Sequence, residues 1–240
     1  FSWLMNKPMD KISVSEITHW QTKGIKKGLK PVSINRSLAT LRGVLTKAVD
    51  HNLMDKNPIA KVKDLKHADE QRIRYLTALE ERNLRAALQE RHHLKCGARL
   101  SGNTFRAERG YPLMEEISGY ADHVEPLILL ALNTGMRRGE LFQLTWGKVN
   151  LEKKFLTVSA ATAKSSKTRH IPLNEEAHKV LTTLSQSRGS DLVFFSPKSE
   201  NPLTTIKTSW SVILKDAQIS DFRFHDLRHH FASKLVMAGV

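Results

Sequence analysis

The chain has 240 residues, 38 Lys and Arg against 24 Asp and Glu, a formal charge of +14 at pH 7 and one cysteine. That length holds one large or two modest domains with a real core, and the excess of positive charge calls for a polyanionic partner, nucleic acid ahead of an anionic membrane surface. The longest apolar run, Leu127 to Leu132, is far shorter than the ~20 residues of a bilayer span.

The first residues lack the basic and apolar regions of a secretory signal. Phe1 stands where a start Met would be, which reads as a fragment. Cys96 stands alone, which excludes an internal disulfide and suits a reducing compartment, the cytoplasm by default.

From Ser13 to Val62 the sequence reads as helical and basic. Ile34, Leu38, Leu41, Leu45 and Ala48 recur at spacings of three and four, the period of an amphipathic helix. Arg36, Thr40, Gly43 and Lys47 fall on the opposite face, either as solvated cations or as contacts to a DNA backbone. Lys23, Lys26, Lys27 and Lys30, interleaved with Gly24 and Gly28, read as a mobile cationic loop able to reach phosphates. Residues 61–74 carry mixed charge and few apolar side chains, a linker composition. The expected organisation is a helical domain over 1–62, a linker over 63–75 and a second domain over 76–240.

Thr77 to Glu80 spell a capping box that opens a helix. Residues 92–119 show no sustained period and hold Gly97, Gly102 and Gly110, so they read as a long surface loop. His92, His93 and Cys96 within it are zinc-ligand types without a fourth partner at finger spacing. Pro126 suits the first turn of an apolar helix that stops at Gly135, and that turn positions another helix starting near Arg137. Phe155–Val158 and Arg169–Leu173 read as short strands around a Lys- and Ser-rich turn. Asn174 then caps a helix that buries Ala177, Val180, Leu181 and Leu184, with Glu175 and Glu176 at its positive end. A further helix covers about residues 204–217. Last come His225 and Arg228, three apart on what reads as a helix, where they share a face and can converge on one anion. The fold class is mainly α with a small β-sheet.

Three stretches occur in a telling order: Thr134-Gly135-Met136-Arg137-Arg138-Gly139-Glu140-Leu141, then Lys164 followed by Arg169-His170-Ile171-Pro172-Leu173, then His225-Asp226-Leu227-Arg228-His229. Together they resemble the signature of tyrosine recombinases of the phage integrase type, and the basic N-terminal region is similar to that family's core-binding domain. The resemblance implies a two-domain DNA clamp, with a helical core-binding domain and a mixed α/β catalytic domain. It also implies four protomers joining two double-stranded DNA attachment sites, accessory DNA-bending proteins, and action at the bacterial nucleoid.

Carried onto this chain, the resemblance makes Arg137 and Arg228 the clamp on the scissile phosphate. Charge grows on its oxygens in the transition state, where fixed planar donors act best. Glu140 would orient Arg137. Lys164, with Lys167 as second candidate, would protonate the 5′-oxygen leaving group. His225 would accept the nucleophile's proton or donate to the phosphate, with His229 and His230 in packing or minor support. Lys23, Lys26, Lys27, Arg36 and Lys47 would contact DNA. No metal or other cofactor is implied, because the arginines supply the positive charge.

One feature departs from the family. Tyr75, Tyr111 and Tyr120 all precede Arg137, whereas the family's nucleophilic tyrosine follows the His-x-x-Arg motif. The expectation is a chain continued past Val240, with an arm-type DNA-binding domain ahead of Phe1, whose 240 residues bind DNA without cleaving it. The implied function is integration or excision of phage or genomic-island DNA through a 3′-phosphotyrosine intermediate. The alternatives are a non-catalytic DNA-binding regulator or excision accessory, and a recombinase that resolves chromosome dimers.

Overall fold

The computed structural model describes residues 2–4, 6–66, 74–159, 167–196, 199 and 201–239. They fall into two compact units, Phe1–Arg72 and Ile73–Val240.

In the first unit, α1 (Val14–Lys26) begins at a Ser13 cap that Glu16 reciprocates, and α2 (Pro31–Asp50) begins with Pro31 in its first turn. Ile17 of α1 and Leu38 and Leu45 of α2 bury against Ile12, Ile59 and Val62. The cationic stretch is not the expected loop. Lys23 and Lys26 ride the last turn of α1, where cations complement the negative end of the helix. Gly24 is buried, and a Cβ there would come within 2.8 Å of Ile34 Cδ1, so this glycine serves close helix packing instead of flexibility. The chain reverses only at Gly28, at φ 78°.

The polar residues just past Val62 are tied down as well. Asn35 bonds both the N–H and the carbonyl of Leu65 at 2.8 Å, Arg42 donates to the Val62 carbonyl at 2.7 Å, and Gln21 donates to that of Lys63 at 3.1 Å.

The second unit contains α3 (Ala78–Glu108), α4 (Val124–Thr134) and the short α5 (Arg138–Phe142). A three-stranded antiparallel sheet follows, β1 (Val149–Asn150), β2 (Phe155–Val158) and β3 (Arg169–Pro172) in that spatial order, then α6 (Glu175–Ser185), α7 (Lys207–Asp216) and α8 (Asp226–Met237). The register sets Leu156 opposite both Val149 and Ile171. Apolar on nearly every side, α4 is the central helix and packs against α6 and α8.

Residues 92–108 are helical, against the loop expected there, because α3 runs on for 31 residues. Only Leu84, Ala87 and Leu88 of α3 are buried, so its second half has no apolar stripe for periodicity to detect. Polar staples hold it instead. The returning segment is tied down where Asn103 bonds the N–H and carbonyl of Met114 at 2.9 and 2.8 Å. Arg106 reaches the Pro112 carbonyl at 2.9 Å, and Arg99 the carbonyl of Glu115. Among the described residues, no helix is long and apolar enough to cross a membrane.

Candidate active site

The end of α4 builds the first part of the site. Gly135 takes a left-handed conformation, φ 58° and ψ 20°, which stops the helix and turns the chain so that Arg137 becomes the N-cap of α5. Its backbone N–H donates to Glu140 Oε2 at 2.8 Å and its Nη1 to Oε1 at 3.1 Å. From β3, Arg169 forks onto the same carboxylate, Nη1 to Oε1 at 3.1 Å and Nη2 to Oε2 at 2.6 Å. Glu140 is only 4% exposed. Burial pushes its pKa up, but the Arg169 hydrogen bonds and the Arg137 amide more than offset this, so the carboxylate sits below its ordinary range.

The second part comes from the start of α8. Asp226 accepts from the Arg223 N–H at 2.8 Å, and Leu227 anchors the first turn in the core. Arg228 then reaches back to donate to the Gly135 carbonyl at 2.5 Å. Its pKa is lowered by burial and then by the charges of Arg137 and Arg169, the mark of three guanidiniums gathered in one place. An arginine keeps its charge under such conditions.

His225 is the N-cap of α8, one step outside the helix where it was expected. Its helical φ and ψ of −68° and −24° preserve the three-residue relation, and its carbonyl accepts from the Arg228 N–H at 3.1 Å. The His229 ring meets it edge-on at 5.2 Å. Partial burial, then His229 and Arg228, depress the His225 pKa against the opposing pull of Asp226, and Arg137 adds to the depression. These surroundings favour the neutral imidazole, the form able to accept a proton.

The structure thus brings Arg137, Glu140, His225, Arg228 and His229 together. Lys164 lies outside the described residues, and Lys167 is exposed two positions before Arg169. Lys23, Lys26, Lys27, Arg36 and Lys47 are exposed on the first unit, the last two opposite the buried side of α2. Among the described residues, no three His, Cys, Asp or Glu side chains group as a metal site.

One residue escaped the sequence reading. Arg169 was only a strand residue there, although it shares the inward face of β3 with buried Ile171, where an arginine needs a partner. His230, expected in packing or minor support, is 4% exposed. Its Nδ1 accepts from the Leu76 N–H at 3.3 Å and its Nε2 donates to Glu81 at 3.2 Å, which locks α8 onto α3.

The model of the phage integrase family matches residues 112–240, the stretch that holds every side chain of this cluster. This chain belongs to the phage integrase family. Among the integrases it resembles is that of Salmonella phage P22, 34% identical over 130 residues, which are 48% of this chain and 34% of the relative. A putative integrase/recombinase of Haemophilus influenzae is 24% identical over 253 residues, covering 99% of this chain and 53% of the relative. The chain therefore spans between about a third and a half of these curated relatives.

Among solved integrase structures, the Tn1549 transposon integrase in complex with circular intermediate DNA superposes with a TM-score of 0.64 at 20% identity, over 97% of this chain and 75% of that one. A lambda integrase tetramer bound to a Holliday junction gives 0.60 at 20% identity, over 94% and 60%. At that identity the likeness is one of fold.

Proposed function

We propose that this chain is the DNA-holding and phosphate-activating part of a site-specific recombinase, one that integrates or excises phage or genomic-island DNA through a 3′-phosphotyrosine intermediate. The observation that carries the reading is the convergence of Arg137 and Arg228, from elements 91 positions apart in sequence, beside His225, whose pKa is lowered by burial and by its cationic neighbours. Two fixed guanidiniums suit the two non-bridging oxygens of a phosphodiester. Because charge builds on those oxygens as the phosphorus becomes pentacoordinate, preset donors stabilise the transition state more than the ground state.

In this reading His225 takes the proton of an attacking hydroxyl, and Lys164 or Lys167 protonates the departing 5′-oxygen. The attacking group in this reading is a tyrosine that these residues do not supply. Tyr120, half-buried, has its pKa pushed up to about 12 by burial and then by Glu125 and Glu176, so it holds its proton. The resulting phosphotyrosine conserves the energy of the broken bond, and the other DNA end rejoins without ATP.

In the same reading residues 1–62 form the core-binding domain, 63–75 the linker and 76–240 the catalytic domain. Lys23, Lys26, Lys27, Arg36 and Lys47 neutralise backbone phosphates of duplex DNA. The partners are attachment-site DNA, three further copies of the full-length protein and accessory DNA-bending proteins, at the nucleoid of a bacterial cytoplasm.

The test uses full-length protein and a suicide duplex nicked near the crossover point. A covalent protein–DNA adduct is expected, and Arg137→Ala and Arg228→Ala each abolish it while retaining most of the DNA affinity, which is spread over many phosphates. Binding without any adduct would instead make the protein a non-catalytic DNA-binding regulator.

A further inference from the structure

We propose that Arg169 is a positioning residue of this site, which grips Glu140 and cancels its charge so that Arg137 is left with its full positive charge for the phosphate. The inference rests on the reading of the cluster as a phosphodiester site.

Glu140 accepts four hydrogen bonds, two from Arg137 and two from Arg169, one of each at each carboxylate oxygen. Its lone pairs along the carboxylate plane are thereby filled. With Arg169 removed, Arg137 would be the one cation among the described residues still hydrogen-bonded to the nearly buried carboxylate, and Arg137 would serve as an ion-pair partner and a phosphate ligand at once. With Arg169 present, three guanidiniums face one carboxylate and the cluster carries a net charge of +2. A phosphodiester carries one negative charge and its pentacoordinate transition state two, so that surplus matches the transition state.

Geometry supports the same assignment. Arg169 opens β3 opposite Val158, on the strand face that also carries buried Ile171, and this aims its side chain at α5. Its contact with Glu140 is a two-pronged fork, which a planar guanidinium makes and a lysine ammonium does not. The fork also fixes the carboxylate that in turn caps the Arg137 backbone N–H. Orientation and charge of Arg137 therefore pass through one residue on another element.

The experiment is a titration of this 240-residue chain with inorganic phosphate, followed by NMR of the arginine Nε–H signals. In the wild type, saturable shifts at Arg137 and Arg228 are expected, and Arg137→Ala removes them. Arg169→Gln is expected to weaken phosphate binding about tenfold, and Arg169→Lys to recover only part of the loss. Adding Glu140→Gln to Arg169→Gln deletes the stranded negative charge and should return affinity to within about threefold of wild type, a recovery that loss of packing alone would not produce. Should Arg169→Gln fail to fold, the double variant, which leaves no buried charge unpaired, carries the same comparison with wild type.

Wild-type affinity in Arg169→Gln, with binding lost in Arg137→Ala, would overturn the role of Arg169 and leave the phosphodiester site standing. A weakened Arg169→Gln with no recovery in a folded double variant would overturn the charge-cancelling role. No phosphate shift in the wild-type cluster would overturn the site itself.

Discussion

Gly135→Ala tests how the turn after α4 sets the place of Arg228. Gly135 holds φ at 58°, and its carbonyl accepts the Arg228 guanidinium at 2.5 Å. An added Cβ would lie 2.4 Å from Phe231 Cδ1, 3.0 Å from Cγ and 3.1 Å from Cε1. Left-handed backbone costs an L-residue with a Cβ about 1–2 kcal/mol. Overpacking adds about 1–3 kcal/mol, since a stiff ring whose Cγ is already too close cannot swing clear unless α8 moves. The expected loss of stability is therefore about 2–5 kcal/mol.

Urea unfolding of the wild type, Gly135→Ala, Phe231→Ala and the double variant separates the two parts. Removing the ring abolishes the clash but not the backbone strain, so in the Phe231→Ala background the substitution should cost only about 1–2 kcal/mol. The Arg228 Nε–H resonance should also move in Gly135→Ala, because a displaced α8 drags the guanidinium from its carbonyl. A loss under about 0.5 kcal/mol, or no coupling to Phe231, would refute the reasoning.

Three further outcomes are expected. The Glu81 carboxyl is held below its usual pKa range by the His230 hydrogen bond, which with Arg85 and Lys234 outweighs the upward push of burial. A depressed pKa contributes stability above the unfolded value of about 4.3 and loses it as pH falls through the folded one. Glu81→Gln should thus cost about 1–3 kcal/mol at neutral pH, with the gap to wild type closing in acid; urea midpoints across pH would show it, and a gap indifferent to pH would sink the idea. His225 should titrate below the ordinary histidine value in NMR and move upward when phosphate binds, because an anion favours the imidazolium; titration above about 6.5 would contradict its cationic surroundings. Replacing Arg36 and Lys47 with alanine should flatten the dependence of log K on log salt by about 0.9 for each DNA phosphate no longer neutralised, and an unchanged slope would make that face ordinary solvated surface.

Much of the site was legible because its signals are local. Gly135 marks the end of an apolar run, so the cap position of Arg137 follows from neighbouring residues alone. The spacing of His225 and Arg228 survives even though His225 caps α8 from outside, because its backbone is already helical. The β2–β3 pair and the Asn174 cap also depend on short-range patterns, alternation in one case and a side chain reaching the Ala177 N–H in the other. By contrast, the second half of α3 was missed because side-chain bonds to a returning segment hold it, and such bonds leave no hydrophobic period. Gly24 was misread for a related reason: a glycine that admits a neighbouring helix looks the same in sequence as one that loosens a loop.

What the sequence determined by itself was the order of the motifs that carry Arg137, Glu140, His225 and Arg228, since local caps and spacing set their immediate backbone. Only the tertiary structure decided which charge answers which. Glu140 and Arg169 are 29 positions apart, and Arg228 meets the Gly135 carbonyl across 93. Charges and hydrogen bonds between distant segments have no periodicity to betray them, and they exist only once the core around α4 has brought α5, β3 and α8 to the same place.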